Sequence, residues 1–276
     1  NKLMIKKDIV VSKGKKLLDV IVDNNFSYAT ARKALRNKDI KVNGRACKEN
    51  VKVEEGDVVT IYFKEDAQIK PYEIVFEDDD AVIVNKFSGV EVENGIDKLL
   101  NAYAVHRLDR NTEGLLVLAK TVEAKKLLEK AFKQHLIRKF YLTEVVGEFE
   151  INKMFTAYLE KDSEKALVKV LPKKTENSVK IETYIKSVKV GKESSLVEVE
   201  IIGGKTHQIR AHLAYLGHAI IGDGKYGKRE DYKKFKENKQ KLFAYKLVFG
   251  NVGIAGLDGK EFKILPKWLK NVKVDI

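Results

Sequence analysis

The sequence predicts an α+β protein: a mixed, largely antiparallel sheet domain with a few covering helices, preceded by a small basic α+β domain. Three observations carry this. Apolar stretches of strand length outnumber stretches with helical spacing, and the long strand–helix alternation that marks a parallel sheet is absent. The 276 residues are 44% hydrophobic and 34% charged, an ordinary globular mixture that excludes wholesale disorder. Composition and turn signals shift near residue 64, which divides the chain into residues 1–64, a linker at 65–73 and a larger domain at 74–276.

In the first segment, Lys15 to Asp23 places apolar groups at helical spacing, and Ser27 is the expected N-cap of a second helix, Tyr28 to Arg36. Ile40 to Val42, the dipeptide Asn43-Gly44 and Arg45 read as a hairpin, because both turn residues tolerate positive φ. Val51 to Val53, a turn at Glu55-Gly56-Asp57 and a strand from Val58 to Phe63 complete the unit. This segment holds 15 basic and 8 acidic side chains, a net +7 out of +13 for the whole chain. Arg32, Lys33, Arg36, Lys38, Lys41 and Arg45 are the candidates for meeting phosphates, which dominate nucleic-acid affinity. Pro71 and mixed charges then mark the linker.

The larger domain opens with two strands, Ile74 to Phe76 and Ala81 to Val84, joined by the acidic turn Glu77 to Asp80. A polar loop, His106 to Glu113, feeds a buried strand, Gly114 to Ala119. The helix Thr121 to His135 follows, with Ala124, Leu127, Leu128 and Ala131 on one stripe. Strands are expected at Phe140–Val146, Val168–Leu171, Val179–Val188 and Ser195–Ile202. Thr206 is the expected cap of a helix that buries Ile209, Leu213 and Leu216 and stops at Gly217. The lysine-rich segment Lys225 to Lys241, interleaved with Tyr226, Tyr232 and Phe235, reads either as an edge along a polyanion or as a solvated helix.

Several chemistries are excluded. One cysteine, Cys47, permits neither an intrachain disulfide nor a cysteine zinc cage. No apolar run approaches the roughly 20 residues of a membrane span, and the first residues lack the apolar stretch of a secretory signal, so a cytoplasmic location is expected. Gly203-Gly204-Lys205-Thr206 fails as a phosphate loop, since that motif needs glycine where Val199 stands. His207, His212 and His218 match no zinc spacing, and no metal site is expected.

Four segments, in order, carry a family resemblance. Asp79 to Lys86, His106-Arg107-Leu108-Asp109-Arg110-Asn111-Thr112-Glu113-Gly114-Leu115-Leu116, Arg138 to Leu142, and Gly204 to Leu213 running on to Gly222-Asp223 resemble the motifs of the RluA-type pseudouridine synthases. Residues 12 to 64 resemble the small RNA-binding domain named after ribosomal protein S-four. The departures are Phe87 for a usual Pro, Glu113 for Ser, Lys205 for Arg and Phe243 for His.

The resemblance implies isomerisation of uridine in RNA. The N1–C1′ bond breaks, the detached uracil turns in place, and C5 joins C1′, with no metal, redox or nucleotide cofactor. It implies Asp109 as the carboxylate, Arg210 as the guanidinium that keeps it charged, and Tyr141 as the group stacking on uracil and acting at the C5 proton. Arg107, Lys205, His207 and Leu213 are expected to contact the RNA, Leu213 through apolar packing near the base. The base must leave its stack to be reached. Large-subunit ribosomal RNA is the expected substrate and a monomer the expected state. Transfer RNA, a nucleoside hydrolase and a non-catalytic ribosome-assembly factor are the alternatives.

Overall fold

The computed structural model describes residues 4–64, 71–162, 167–237 and 239–269; residues 65–70 of the expected linker lie outside them. The chain divides into two compact units, residues 1–71 and 72–276.

The small unit runs β1 (Met4–Val10), β2 (Lys15–Lys16), α1 (Leu17–Asp23), α2 (Tyr28–Asn37), β3 (Ile40–Val42), β4 (Arg45–Ala46), β5 (Lys52–Val53) and β6 (Val58–Lys64). Its sheet has the order β1-β6-β3-β4, and β2 pairs β5. Ser27 caps α2, its hydroxyl accepting from the Thr30 N–H at 3.0 Å. Asn43 and Gly44 both take positive φ, 49° and 79°, and close the β3–β4 hairpin with Val42 opposite Arg45. The first helix starts at Leu17 rather than Lys15, because Lys15 and Lys16 pair with Val53 and Lys52. Leu17, Ile21, Ala31, Ile40 and Ile61 form the centre of a core belonging to this unit.

The large unit runs β7 (Tyr72–Glu77), β8 (Ala81–Lys86), α3 (Asp97–Leu100), β9 (Tyr103–Ala104), β10 (Glu113–Ala119), α4 (Val122–Lys133), β11 (Ile137–Val146), β12 (Asn152–Asp162), β13 (Leu167–Leu171), β14 (Ser178–Lys189), β15 (Ser194–Ile202), α5 (Gln208–Tyr215), α6 (Arg229–Phe235), β16 (Leu242–Phe249) and β17 (Glu261–Lys263). One sheet carries the order β13-β12-β14-β15-β11-β16-β10-β8-β7, with β17 beside β16 and β9 beside β10. Among the described residues its strand pairs are antiparallel except β10 with β16. The mixed, largely antiparallel sheet expected from the sequence is therefore present.

The central strands are covered on both faces, which is why they read as continuous apolar runs. Val82, Val84, Leu116 and Leu118 face one core. Ala81, Ile83, Leu115 and Val117 face the other, under Ala124, Leu128 and Ala131 of α4. Leu127, expected on that stripe, is exposed instead. The parallel contact brings backbones unusually close. A Cβ on Gly114, whose φ is +117°, would lie 2.2 Å from the Ala244 carbonyl oxygen, so only glycine permits it. Gly217 (φ +89°) stops α5 through bonds from its own N–H to Ala214 and from the His218 N–H to Leu213, a Schellman end. No helix among the described residues is long and apolar enough to cross a membrane.

Candidate active site

Asp109 stands on the loop between β9 and β10, and that loop is tied down from several sides. The Thr112 N–H donates to the Asp109 carbonyl at 3.0 Å, and the Thr112 hydroxyl accepts from Gln240 at 3.0 Å. Leu108 is buried in the core beneath. The fully buried Lys86, at the end of β8, donates to the carbonyls of Phe87 and Arg110, both at 3.0 Å. Backbone and side chain of Arg110 also engage Gly89. The loop thus turns Asp109 inward while Arg107 and Arg110 stay exposed.

Arg210 comes from α5. Its Nη1 donates to Asp109 Oδ2 at 3.0 Å. Its other side grips Asp223 bidentately, Nε to Oδ2 at 2.7 Å and Nη2 to Oδ1 at 2.9 Å. Such planar, two-point pairing suits guanidinium and carboxylate geometry. Burial opposes the charge on Arg210, but Asp223 and then Asp109 outweigh it and raise its pKa. For Asp223, burial pulls the pKa upward, and hydrogen bonding and charge from Arg210 overcome this and hold it below the usual carboxylate range. Asp223 Oδ1 also accepts from the N–H groups of Lys225 and Tyr226. That turn lays the Tyr226 ring over the Arg210 guanidinium at 5.3 Å. Asp223 and Tyr226 are site residues that sequence reasoning did not single out. Gly222-Asp223 forms the tail of the fourth motif, and Tyr226 stands in the lysine-rich segment only as one of its interleaved aromatics.

Tyr141 lies on β11, buried at 5% exposure in the same core, opposite Ala244 of β16. Here β16 has one extra residue, Tyr245, a bulge of the kind that re-aims side chains beside active sites. Burial, helped by the nearby Asp109 charge, pushes the Tyr141 phenol well above its ordinary pKa. It is a neutral phenol throughout the physiological range. Asp109, Tyr141 and Arg210 all line one cavity of about 310 Å³, together with Thr112, Ile209 and Leu242.

His207, Lys205 and Arg107 line the same cavity. His207 Nε2 is 3.8 Å from Asp109, and Nδ1 is 2.8 Å from the Tyr226 hydroxyl. Burial lowers the His207 pKa. Two expectations are corrected. Thr206 does not cap α5: His207 is the N-cap residue, in a left-handed conformation (φ 54°), and Gln208 supplies the stabilising bond by accepting from the Lys205 N–H at 3.1 Å. Leu213 does not reach the cavity. It is fully buried, one turn behind Ile209 on the inward stripe of α5, and supports the cavity wall from beneath. His212 and His218 make structural bonds, to the Thr183 hydroxyl and the Val146 carbonyl.

Lys139 lines the cavity too, two residues before Tyr141 on the same face of β11. Burial lowers Lys86 and Lys139 to about 8 each. An unfolded lysine titrates near 10.4, so between about pH 8 and 10 these two sites bind more protons in the unfolded chain, and their contribution to stability rises with pH. In urea denaturation the wild type is expected to gain more stability, or lose less, from pH 8 to 10 than Lys86→Met or Lys139→Met, and variants with the same pH slope as the wild type would contradict the assignment.

In the small unit Arg32, Lys33, Arg36 and Arg45 are exposed. Arg32 and Arg36 share one shallow depression with Lys38 and Lys48. Lys33, Lys41 and Arg45 lie outside it, and the Lys41 amine sits over the Tyr62 ring at 5.4 Å.

The chain is similar to known proteins. Residues 69–215 match the family described as RNA pseudouridylate synthase. The ribosomal large subunit pseudouridine synthase C of Vibrio cholerae is 31% identical over 236 residues, covering 74% of each chain. The uncharacterized RNA pseudouridine synthase MG370 homolog of Mycoplasma pneumoniae is 30% identical over 286 residues, covering 88% of this chain and 85% of that one. Among solved structures, the human RNA pseudouridylate synthase domain containing 1 has the same fold, with a TM-score of 0.59 at 22% identity over 71% of this chain and 82% of that one.

Proposed function

This chain belongs to the RNA pseudouridylate synthase family, in its RluA-type branch, and from that premise we propose that it isomerises particular uridines of large-subunit ribosomal RNA through Asp109. It is an isomerase: the uracil leaves C1′ through N1 and returns through C5, with nothing added or lost. The observation that carries the site assignment is the single guanidinium of Arg210, shared between Asp109 in the cavity and Asp223 behind it.

The roles follow from this arrangement. Asp109, held charged by Arg210, is the group that acts at the sugar or the base. Tyr141 packs against the uracil and, as a neutral phenol, relays the C5 proton to solvent, its oxygen taking that proton while its own hydroxyl hydrogen passes to a water molecule. Ile209 and Leu242 give the base apolar walls, which keep water from capturing C1′. Arg107 and Lys205 hold the RNA around the extruded nucleotide, with His207 beside them. A monomer in the cytoplasm belongs to the same proposal.

Ribosomal RNA as substrate is supported by the name of the Vibrio cholerae relative. The small unit, by its helix pair, hairpin and basic surface, acts as an S-four-type RNA-binding domain. An alignment covering 88% of the chain extends beyond the large unit into the small one. Replacing Arg32 and Arg36 together by Gln is therefore expected to weaken RNA binding and to lower the slope of log affinity against log salt by about 1 to 2. The rate at saturating RNA should be spared. An unchanged slope would remove the small unit from the interface. The substrate itself is tested by mapping pseudouridine in total RNA from cells with and without this gene. Loss confined to large-subunit ribosomal RNA is expected, whereas loss from transfer RNA would reassign the substrate.

A further inference from the structure

The lining of the cavity carries several cations, and one of its charges is buried without a counter-ion. Lys139 is 8% exposed. Its amine donates to the Gly203 carbonyl and lies 5.4 Å from the Phe132 ring centroid. Among the described residues no carboxylate is within 4.0 Å of it. The backbone is shaped around this amine: Gly204 takes φ +136°, and a Cβ there would meet the Lys139 Nζ at 3.0 Å. The one carboxylate among the cavity-lining residues, Asp109, is already paired with Arg210. Lys133, Lys205 and Arg107 line the same cavity.

A neighbouring group has the same need. His106 Nε2 accepts from the Val117 N–H at 3.0 Å. The ring is therefore protonated at Nδ1, which is buried with no acceptor among the described residues. Burial first, then the nearby Lys139 charge, lowers His106 to about 3, so the ring stays neutral. A buried ammonium without a counter-ion is costly, and so is a buried N–H without an acceptor. His106 and Lys139 both line the cavity that the proposed function fills with RNA.

We propose that Lys139 is the centre of an anion-binding subsite that takes a backbone phosphate of the RNA beside the extruded uridine, with Lys205 and Arg107 at its rim. The subsite rests on the proposed function for the source of its phosphate, not for its chemistry. Lys139 lies two residues from Tyr141 on one strand face, so the phosphate would sit next to the base it accompanies. Inorganic phosphate offers the same chemistry and serves as the first probe.

The test uses the full chain. The sequence has five histidines, so imidazole signals resolve well by nitrogen-15 NMR. Titrating inorganic phosphate should shift the His106 resonance in the wild type and in Lys139→Arg, but not in Lys139→Met. A large-subunit ribosomal RNA transcript is then bound at several salt concentrations. Lys139→Met should reduce the salt slope by about 1, and Lys139→Arg should restore it. No His106 shift in the wild type, or an equal shift in a folded Lys139→Met, overturns the subsite. A phosphate response with an unchanged RNA slope overturns its assignment to RNA and leaves a site for free phosphate. A wild type that shows both responses yet makes no pseudouridine would refute the proposed function and leave the subsite standing.

Discussion

Asp109→Asn is expected to reduce pseudouridine formation by more than about 10⁴-fold, the order lost when an enzyme's reacting group is removed. Its RNA affinity should stay within about twofold, because phosphate contacts carry most of the binding. The amide keeps an oxygen for Arg210 Nη1, and Arg210 retains both bonds to Asp223. The fold should therefore hold, with thermal unfolding close to wild type. Quantifying pseudouridine in digested RNA and titrating RNA binding separate these effects. A variant that still makes product would remove Asp109 from the chemistry.

Asp223→Ala is expected to do more to the fold than any change at Asp109. Asp223 is 1% exposed and holds Arg210 through two bonds while accepting from the Lys225 and Tyr226 N–H groups. Removing one partner of a buried ion pair strands the other, at roughly 3–5 kcal/mol. For a unit of this size that lowers Tm by roughly 10 °C. Activity should fall as well, since Arg210 then has Asp109 alone to hold it and Tyr226 loses its turn. The pH dependence has a definite sign. The folded pKa of Asp223 lies below its unfolded value, so its stabilisation is complete above about pH 4. It disappears as pH falls through the folded value. Asp223→Asn should therefore flatten the acid limb of the stability curve, measured by urea denaturation from pH 5 to 2. An acid limb as steep as that of the wild type would contradict the pairing.

The parts of this molecule legible in the sequence are those where local chemistry and tertiary structure agree. Ser27 caps α2, Asn43-Gly44 turns a hairpin and Gly217 ends α5 because short-range bonds decide each of them. The Asp109–Arg210 pair was legible through its motifs, although the partners lie 101 residues apart. Other features depended on contacts that no local pattern encodes. In β12 only Ala157 and Leu159 are buried, so its alternation is too weak to read. The resemblance implies Leu213 beside the base, but its depth in α5 is set by packing against the sheet. Asp223 and Lys139 stand in the sequence only as members of two motifs, with no role of their own. Their importance emerges only when β11, α5 and the 222–226 turn converge.

The central claim concerns a bond change, and the hydrogen on C5 of uracil reports it directly. Forming the C5–C1′ bond sends that hydrogen to solvent while N1 takes one up. RNA carrying tritium at uridine C5 should release tritium into water when incubated with the wild-type chain. The strand should remain intact, no free uracil should appear, and Asp109→Asn should release none. Free uracil, or RNA that binds and keeps all its tritium, would contradict the account.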